Sequence, residues 1–579
     1  MIRNLVILLL AALIIALPFL FRQPQEDSAW RPGDPVVVII TPMNEAIRYE
    51  FARGFSEWHL RNFGRPAKVD WRALGGTSEI MRYLVSEYVT AARAWWIGKD
   101  KHWPAGASDA VVARKLDTNS APELKELYEA FRKTDDPDEF TSKVDLLWGG
   151  GEYDHSDAHR QGLIVDPWPA GKEPSQVLDI PETMSGETWR TPRMFGNVLS
   201  TFGICYNLDR LRDLKVGKPP MQWDDLADPA YFRQVAACDP TKSGSIAKAF
   251  EMIVQQKCHQ SVIAAGFNDA QIEKFETAIQ AAKLPPGELP KAVPAEYQAA
   301  VERGWENGIR LIQRIGANAR YFTDAASKVT IDVSMGDAAA GLAIDFYGRY
   351  QAQCSRAPDG SERMVYITPV GGSSVSCDPV GLLRGAENRE TATRFIQYLL
   401  SEEGQRLWTY RPGTPGGPHK FALRRLPIQR NFYPPTPDTG IPHFIKCGME
   451  TFGWREHAKY SADNLADPAI NPYSLATNFT YRSRWTAQHF NIQRDLVRAM
   501  CLDSVDELHD AWKAIIRNGG PEKQAAAMEL FSRMPDKPEP LTWRSAVTFS
   551  KKHDRLDYLR EWTGFYRENY RKVKAIAEP

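Results

Sequence analysis

Cysteine is scarce. Seven in 579 residues cannot make a disulfide scaffold, and no Cys-x-x-Cys or Cys/His spacing marks a structural zinc. Net charge is missing too. Lys+Arg and Asp+Glu both number 72, so no global field points to nucleic acid as a partner. There is no low-complexity tract and no internal repeat. No Gly-x-Ser-x-Gly elbow, Walker phosphate loop or His-Glu-x-x-His pattern occurs, and nothing calls for a cofactor. Long apolar runs are absent from the body of the chain. One stands at its start, where residues 5–21 lack any charge between Arg3 and Arg22. That is near the short limit for crossing a bilayer. It reads as an uncleaved anchor or as the core of a secretory signal. Either one sends the body across the membrane, with Arg3 left inside.

What is present suits a large folded body. Apolar residues make up 43% and Trp numbers 17, enough for more than one core. After a polar, proline-punctuated linker, strands and helices alternate. Residues 36–40 form a continuous apolar run, as in a strand buried on both faces. A helix follows, with Ile47, Phe51, Phe55, Trp58 and Phe63 inward and Gly64 as its stop. Residues 68–74 read as the next strand, and a helix with Ile80, Leu84 and Tyr88 inward comes after it. Residues 95–141 read as a helical insertion, with Ser120 and Glu123 as a capping box. Residues 144–148 make a strand that ends in Gly149, Gly150 and Gly151.

A second alternating unit begins near Thr201. It holds strands at 235–238 and 340–344 and a long helix with Tyr297, Val301, Trp305, Ile312 and Ile315, ending at Gly316. Strands at 364–369 and 380–383 return the chain to the first unit, and a helix with Phe395, Leu399 and Leu400 follows. Repeated strand-to-helix switches at Gly, Ser, Thr or Asn describe open α/β sheets, which bind ligands at the carboxyl ends of their strands.

The sharpest junction runs from Cys238 through Asp239, Pro240, Thr241 and Lys242 to Ser243, Gly244 and Ser245. The last three sit where a helix leaves its first N–H groups unpaired, a ready site for an anion. Asn44, Glu45 and Thr77 are helix starts of the same kind, readable as caps or as ligand contacts. Ser200 and Thr201 lie where the chain would cross between units. Asp345 and Tyr347 end a strand and offer hard oxygen donors to a cation. His155 and His159, four apart with Glu152 and Asp154 nearby, resemble half a zinc site. They lack a third ligand, and surface histidines on a solvated helix are the expectation. Cys354 and Cys377 flank a hairpin around Pro358, Asp359 and Gly360, so in an exported body they are the expected disulfide, with Cys238 and Cys258 as the second option.

Taken in order, Tyr206 and Asn207, the run from Trp223 to Pro229, Asp239 with Pro240 and Thr241, the Ser243 to Ser245 loop, and Ser401 to Gln405 resemble the periplasmic solute-binding proteins of ABC importers. The ferric-iron-type branch is the nearest. The resemblance spans roughly residues 36–433. It implies an α/β, two-lobed type II periplasmic-binding-protein fold with a helical insertion and a helical C-terminal extension. Lobe 1 would comprise 35–200 with a return at 365–435, lobe 2 would be 201–364, and residues 436–579 would extend beyond the family core. It further implies a small-molecule or ion ligand in the interlobe cleft, an ABC permease as partner, a periplasmic body anchored through residues 1–34, and no enzymatic activity. The adjacent tyrosines by which this branch holds iron are missing, which sets iron against a small anionic or phosphorylated solute. A membrane-anchored sensor on the same fold and a metal-dependent hydrolase are the alternatives. The tail carries an amphipathic helix with Leu556, Leu559, Trp562 and Phe565, expected to pack on the lobes, with a docking surface for a membrane partner as the alternative.

Overall fold

The computed structural model describes residues 30–285, 287–434 and 453–578. The apolar run at 5–21 lies outside the described residues. Within them, no helix is long and apolar enough to cross a membrane.

Strand β1 (Val36–Ile40) is flanked by β2 (Lys68–Arg72) and β3 (Leu146–Trp148), both parallel to it. Helix α1 (Glu45–Phe63) connects the first two. Asn44 caps it by accepting from the Ile47 N–H, and Gly64 ends it in the left-handed region at φ 74°, a geometry glycine adopts without strain. Helix α2 (Thr77–Ile97), α3 (Pro122–Lys133) and α4 (Glu152–Arg160) complete this half. Strand β4 (Met194–Ser200) leads through Thr201 directly into β5 (Phe202–Asn207), which belongs to a second sheet. There, β6 (Val235–Cys238), α5 (Gly244–Ala264), α6 (Ala295–Asn318), β7 (Ala319–Thr323), α7 (Ala326–Met335), β8 (Ala340–Ile344), α8 (Asp345–Cys354) and β9 (Met364–Ile367) follow. Strand β10 (Ser376–Leu383) returns to the first sheet, and α9 (Arg389–Leu400) packs over it.

The two sheets share one logic. The first runs β4-β10-β3-β1-β2 and the second β7-β6-β8-β5-β9. In each, three parallel strands stand beside a strand that runs antiparallel to them, β10 in the first and β5 in the second. The chain therefore crosses between sheets twice, at β4–β5 and between β9 and β10. This is the two-lobed type II arrangement expected from the motifs, and it carries the helical extension. The return comes later than 365. Strand β9 still pairs with β5, from Met364 opposite Asn207 to Ile367 opposite Ile204, and the first sheet resumes only at Ser376.

Other expectations need correcting. Helix α3 starts with Pro122 after Ala121, with no side-chain cap. Proline at the first helical position fixes φ and needs no donor, so the Ser120 and Glu123 box does not form. Helix α6 runs past Gly316 to Asn318. All six described cysteines are free. Cys354 is exposed at the end of α8, whereas Cys377 is buried in β10 of the other sheet and turns its thiol to the carbonyls of Thr188 and Trp189. Cys238 and Cys258 are buried apart, one in β6 and one inside α5.

The extension joins both lobes. Leu465, Tyr473, Leu475 and Ala476 share the core of the first. From Phe479 onward, α10 (Phe490–Val497), α11 (Val505–Arg517) and α12 (Arg555–Ala577) share the core of the second. On α12 the buried face is aromatic, with Tyr558, Trp562, Tyr566 and Tyr570, while Leu556 is 68% exposed. The apolar stripe read from the sequence was thus rotated from the true one, because large rings bury more area than the leucines beside them.

Trp512 on α11 shows how tightly the extension is fused to lobe 2. It is fully buried and donates to Asn318 Oδ1 at 2.8 Å, while Asn318 Nδ2 donates to the carbonyls of Leu226 and Asp228. Trp512→Ala should lower the unfolding free energy by about 3–5 kcal/mol. Urea denaturation of the full-length chain measures it, and the extension and second lobe should still melt in one transition. A loss under about 1 kcal/mol would show that the extension is only loosely attached.

Candidate functional site

A cavity of about 680 Å³ lies between the carboxyl ends of the two sheets. This volume suits a small organic molecule. Helices from both lobes start on it. Asn44 precedes α1, Gly76 and Thr77 open α2, Gly151 and Glu152 open α4, Ser243, Gly244 and Ser245 open α5, and Ala325 and Ala326 open α7. The first amides of a helix have no intrahelical acceptor. Those of Thr77, Ser78, Gly244, Ser245, Ala326 and Ser327 donate to no protein acceptor among the described residues. Partial positive charge from five helix starts therefore meets at one place.

The glycines there are steric requirements. Gly149 and Gly150 have φ of 86° and 88°, and a Cβ on Gly150 would stand 2.7 Å from Thr77 Cγ2. Gly76 brings the lobes together, since a Cβ there would lie 3.0 Å from the Lys242 carbonyl oxygen. Gly244 is different: its Cβ position is open.

Charged side chains line the same space. Lys248 lies between Glu187 at 3.1 Å and Glu251 at 3.0 Å, with its ammonium 3.7 Å from the Tyr481 ring centre. Burial opposes its charge, yet the two carboxylates outweigh burial and hold its pKa well above the usual lysine value. Glu187 also bonds the Ser374 hydroxyl, and Glu251 accepts from Tyr481 and Thr486. Arg425 pairs with Asp378 at 2.6 Å and donates to Ser200 Oγ. Arg494 comes from the extension. Its Nε donates to the Pro240 carbonyl at 2.7 Å, and its Nη2 donates to the Thr241 carbonyl at 2.9 Å and to Ser78 Oγ at 3.2 Å. Asp154 lies nearby, and burial pushes its carboxyl up to about 6 despite the Arg494 charge.

Of the residues singled out in the sequence, Asn44, Thr77, Ser243, Gly244, Ser245 and Tyr347 line this cavity. The other five do not. Glu45 is exposed in the first turn of α1. Ser200 and Thr201 are buried in the crossing strand, where Thr201 Oγ1 meets Thr368 Oγ1 of the other crossing at 3.0 Å. Asp239 folds its own turn by accepting from the Thr241 N–H and hydroxyl at 2.8 and 2.6 Å. Asp345 is fully buried, caps the Phe346 N–H and pairs with Arg349 at 3.1 Å. It organises the start of α8.

The reading missed Lys248, Glu187, Tyr481, Arg425 and Arg494. Lys248 has one local signal, Glu251 three residues on. The others meet only through tertiary structure. The histidine pair is also corrected. His155 is buried, with its Nε2 3.0 Å from the Gly149 carbonyl oxygen, so it props the glycine loop. His159 lies apart, beside Arg193. Among the described residues no group of three or more His, Cys, Asp or Glu is placed to hold a metal ion.

Residues 172–439 match the sequence model of the family described as bacterial extracellular solute-binding protein, and the resemblance read from the motifs holds over that stretch. A Haemophilus influenzae protein described as uncharacterized is 22% identical over 268 residues, 45% of this chain. The chain spans 60% of that curated relative's length. Among solved structures, the periplasmic binding protein AfuA from Actinobacillus pleuropneumoniae, with fructose-6-phosphate bound, aligns at a TM-score of 0.42 and 14% identity over 73% of this chain and 95% of its own. The apo ferric ion-binding protein A of Pasteurella haemolytica aligns at 0.41 and 12%, over 80% and 97%.

Burial pushes the His155 imidazole down to about 4. Between the ordinary histidine value near 6.5 and 4, the unfolded chain binds a proton that the folded chain refuses, so this histidine lowers stability as pH falls. The stability advantage of the parent over His155→Gln should therefore shrink by up to about 1.4 kcal/mol per pH unit across that window. Urea titrations of both full-length proteins at several pH values check it. A difference independent of pH would show that the imidazole is not buried neutral.

Proposed function

We propose that this protein is the extracytoplasmic solute-binding component of an ABC importer. It captures a small organic solute bearing a phosphate-type anionic group in the interlobe cleft and delivers it to a membrane permease. The observation that carries this reading is the convergence of unengaged helix-start amides from both lobes on one cavity. Amides fixed in two lobes favour the closed form only when an anion lies between them. That differential affinity is what shifts an open–closed equilibrium. The family match over 172–439 supports the binding role. The run at 5–21 supports placing the body outside the cytoplasm, tethered by its N-terminus.

The cavity favours an organic anion over a bare ferric ion. Its volume far exceeds that of an ion. Five of the seven acids that line it are engaged: Glu187 and Glu251 with Lys248, Asp378 with Arg425, Glu79 with the Gly76 N–H at 2.9 Å and Glu152 with the Ser156 hydroxyl, while Asp154 and Asp324 form no ion pair among the described residues. The Tyr481 hydroxyl is committed to Glu251.

Thermal-shift screening of the full-length protein should show stabilisation by hexose phosphates and alkylphosphonates, and none by spermidine or ferric citrate. Small-angle scattering should show compaction with the stabilising solutes. Gly244→Val fills open space at the start of α5 and should weaken their binding by about 1–3 kcal/mol, the scale of hydrogen bonds to a charged group. Asp345→Asn should lower stability and leave affinity unchanged. Stabilisation by ferric citrate or spermidine alone, or equal affinity in Gly244→Val and the parent, would refute the reading.

A further inference from the structure

The extension lies outside the matched stretch 172–439, yet it forms part of the cavity wall. Tyr481, Ala487, Phe490 and Arg494 all reach it. Arg494 is placed unlike a surface arginine. Two of its nitrogens are fixed by the Pro240 and Thr241 carbonyls, in the turn just before the start of α5. One of these nitrogens also reaches Ser78 Oγ, at the start of α2 in the other lobe. Its Nη1 makes no hydrogen bond among the described residues. A planar guanidinium held on one edge presents its free donor in a fixed direction. The segment that carries it is itself anchored to both lobes. Phe490 packs on the Tyr153 ring of α4, with centres 5.5 Å apart. The Tyr481 N–H donates to the Ser185 carbonyl at 2.8 Å, and its hydroxyl donates to Glu251 on α5.

We propose that the C-terminal extension is an integral part of the solute site, and that Arg494 binds the solute's phosphate-type oxyanion together with the starts of α2 and α5. The proposal rests on the reading of the cleft as a solute site. An oxyanion between these two helix starts would complete the unfilled side of the guanidinium and tie its closure of the cleft to the presence of solute. Asp154 is the counterweight. It lines the same cavity, faces Arg494 without forming an ion pair, and competes with an anion for that charge.

The test is calorimetry of inorganic phosphate on the full-length protein. Arg494→Gln should weaken binding about 10- to 100-fold, and Arg494→Lys should fall between it and the parent. Free guanidinium ion should restore part of the affinity of Arg494→Ala, which a purely structural role would not allow. Asp154→Asn should bind phosphate more tightly than the parent. Matched circular dichroism and melting curves establish that the variants are folded. If Gly244→Val loses phosphate while Arg494→Gln binds like the parent, this inference is overturned and the cleft reading stands. If both variants bind like the parent, the cleft itself has been misplaced and both readings fall. A parent that does not bind phosphate overturns the inference, while the cleft reading is decided separately by the hexose phosphates.

Discussion

One buried ammonium joins the three parts of this molecule. Lys248 projects from the second lobe and touches Glu187 of the first, Glu251 of its own helix and the Tyr481 ring of the extension. The side chains of Glu187 and Glu251 are 4% and 2% exposed. Two carboxylates and one ammonium in such a place leave no member dispensable. Removing one partner of a buried ion pair typically costs about 3–5 kcal/mol, because the remaining charge is left unpaired. The hydroxyls of Ser374, Tyr481 and Thr486 take up acceptor positions that the ammonium does not fill. Glu187 and Lys248 sit on opposite lobes, so the pair ties the lobes together. It is an internal contact that competes with opening.

The helix starts impose the complementary constraint. Three of the five have one amide held by a side chain. Asn44 satisfies the Ile47 amide, Ser243 the Ile246 amide, and Glu79 the Gly76 amide, but the amides facing the cavity remain open. These residues are exposed or half-buried, so their amides are satisfied by water or by a ligand. The glycines keep them reachable. Bulk at Gly150 would strike Thr77 and bulk at Gly76 would strike Lys242. The same two-sheet topology that buries β1, β6 and β8 therefore places its least satisfied backbone at one spot, where the carboxyl ends of the strands meet.

Much of this was legible in the sequence, and the limits of legibility are physical. Strands such as 36–40, 235–238 and 340–344 are buried on both faces and read as plain apolar runs. Caps are local, so Asn44, Thr77 and Ser243 to Ser245 could be read within a few residues of their helices, and all five line the cavity. Asp239 and Asp345 lie off the cavity wall for the same local reason. A carboxylate at a strand end has near neighbours that compete for it, and here a turn and Arg349 won. His155 looked solvated because its helix is polar in sequence. Its burial comes from the packing of α4 on β10 and α2, which only the tertiary fold brings together. Arg425 and Arg494 gave no signal, because their partners lie 225 residues away at Ser200 and 416 residues away at Ser78.

The extension changes what closure means. In a two-lobed protein joined only by crossing strands, the cleft opens by rotation about those strands. Here residues 465–476 are built into the core of one lobe and residues beyond Phe479 into the core of the other, so a third connection runs alongside the two crossings. It passes the cleft itself, at Tyr481, Phe490 and Arg494. Opening must stretch or unseat that strap. The contacts that can yield at modest cost are those made to one lobe by single side chains: Phe490 on Tyr153, and Arg494 on Ser78. The contacts to the second lobe are a continuous core, with Trp512, Phe531, Trp562 and Tyr570 fully buried. Beyond Phe479 the strap is thus part of the second lobe, while residues 465–476 belong to the first. Its cleft-facing side chains, Tyr481, Phe490 and Arg494, are therefore fixed on the second lobe and stand across the cavity from the starts of α1, α2 and α4 in the first.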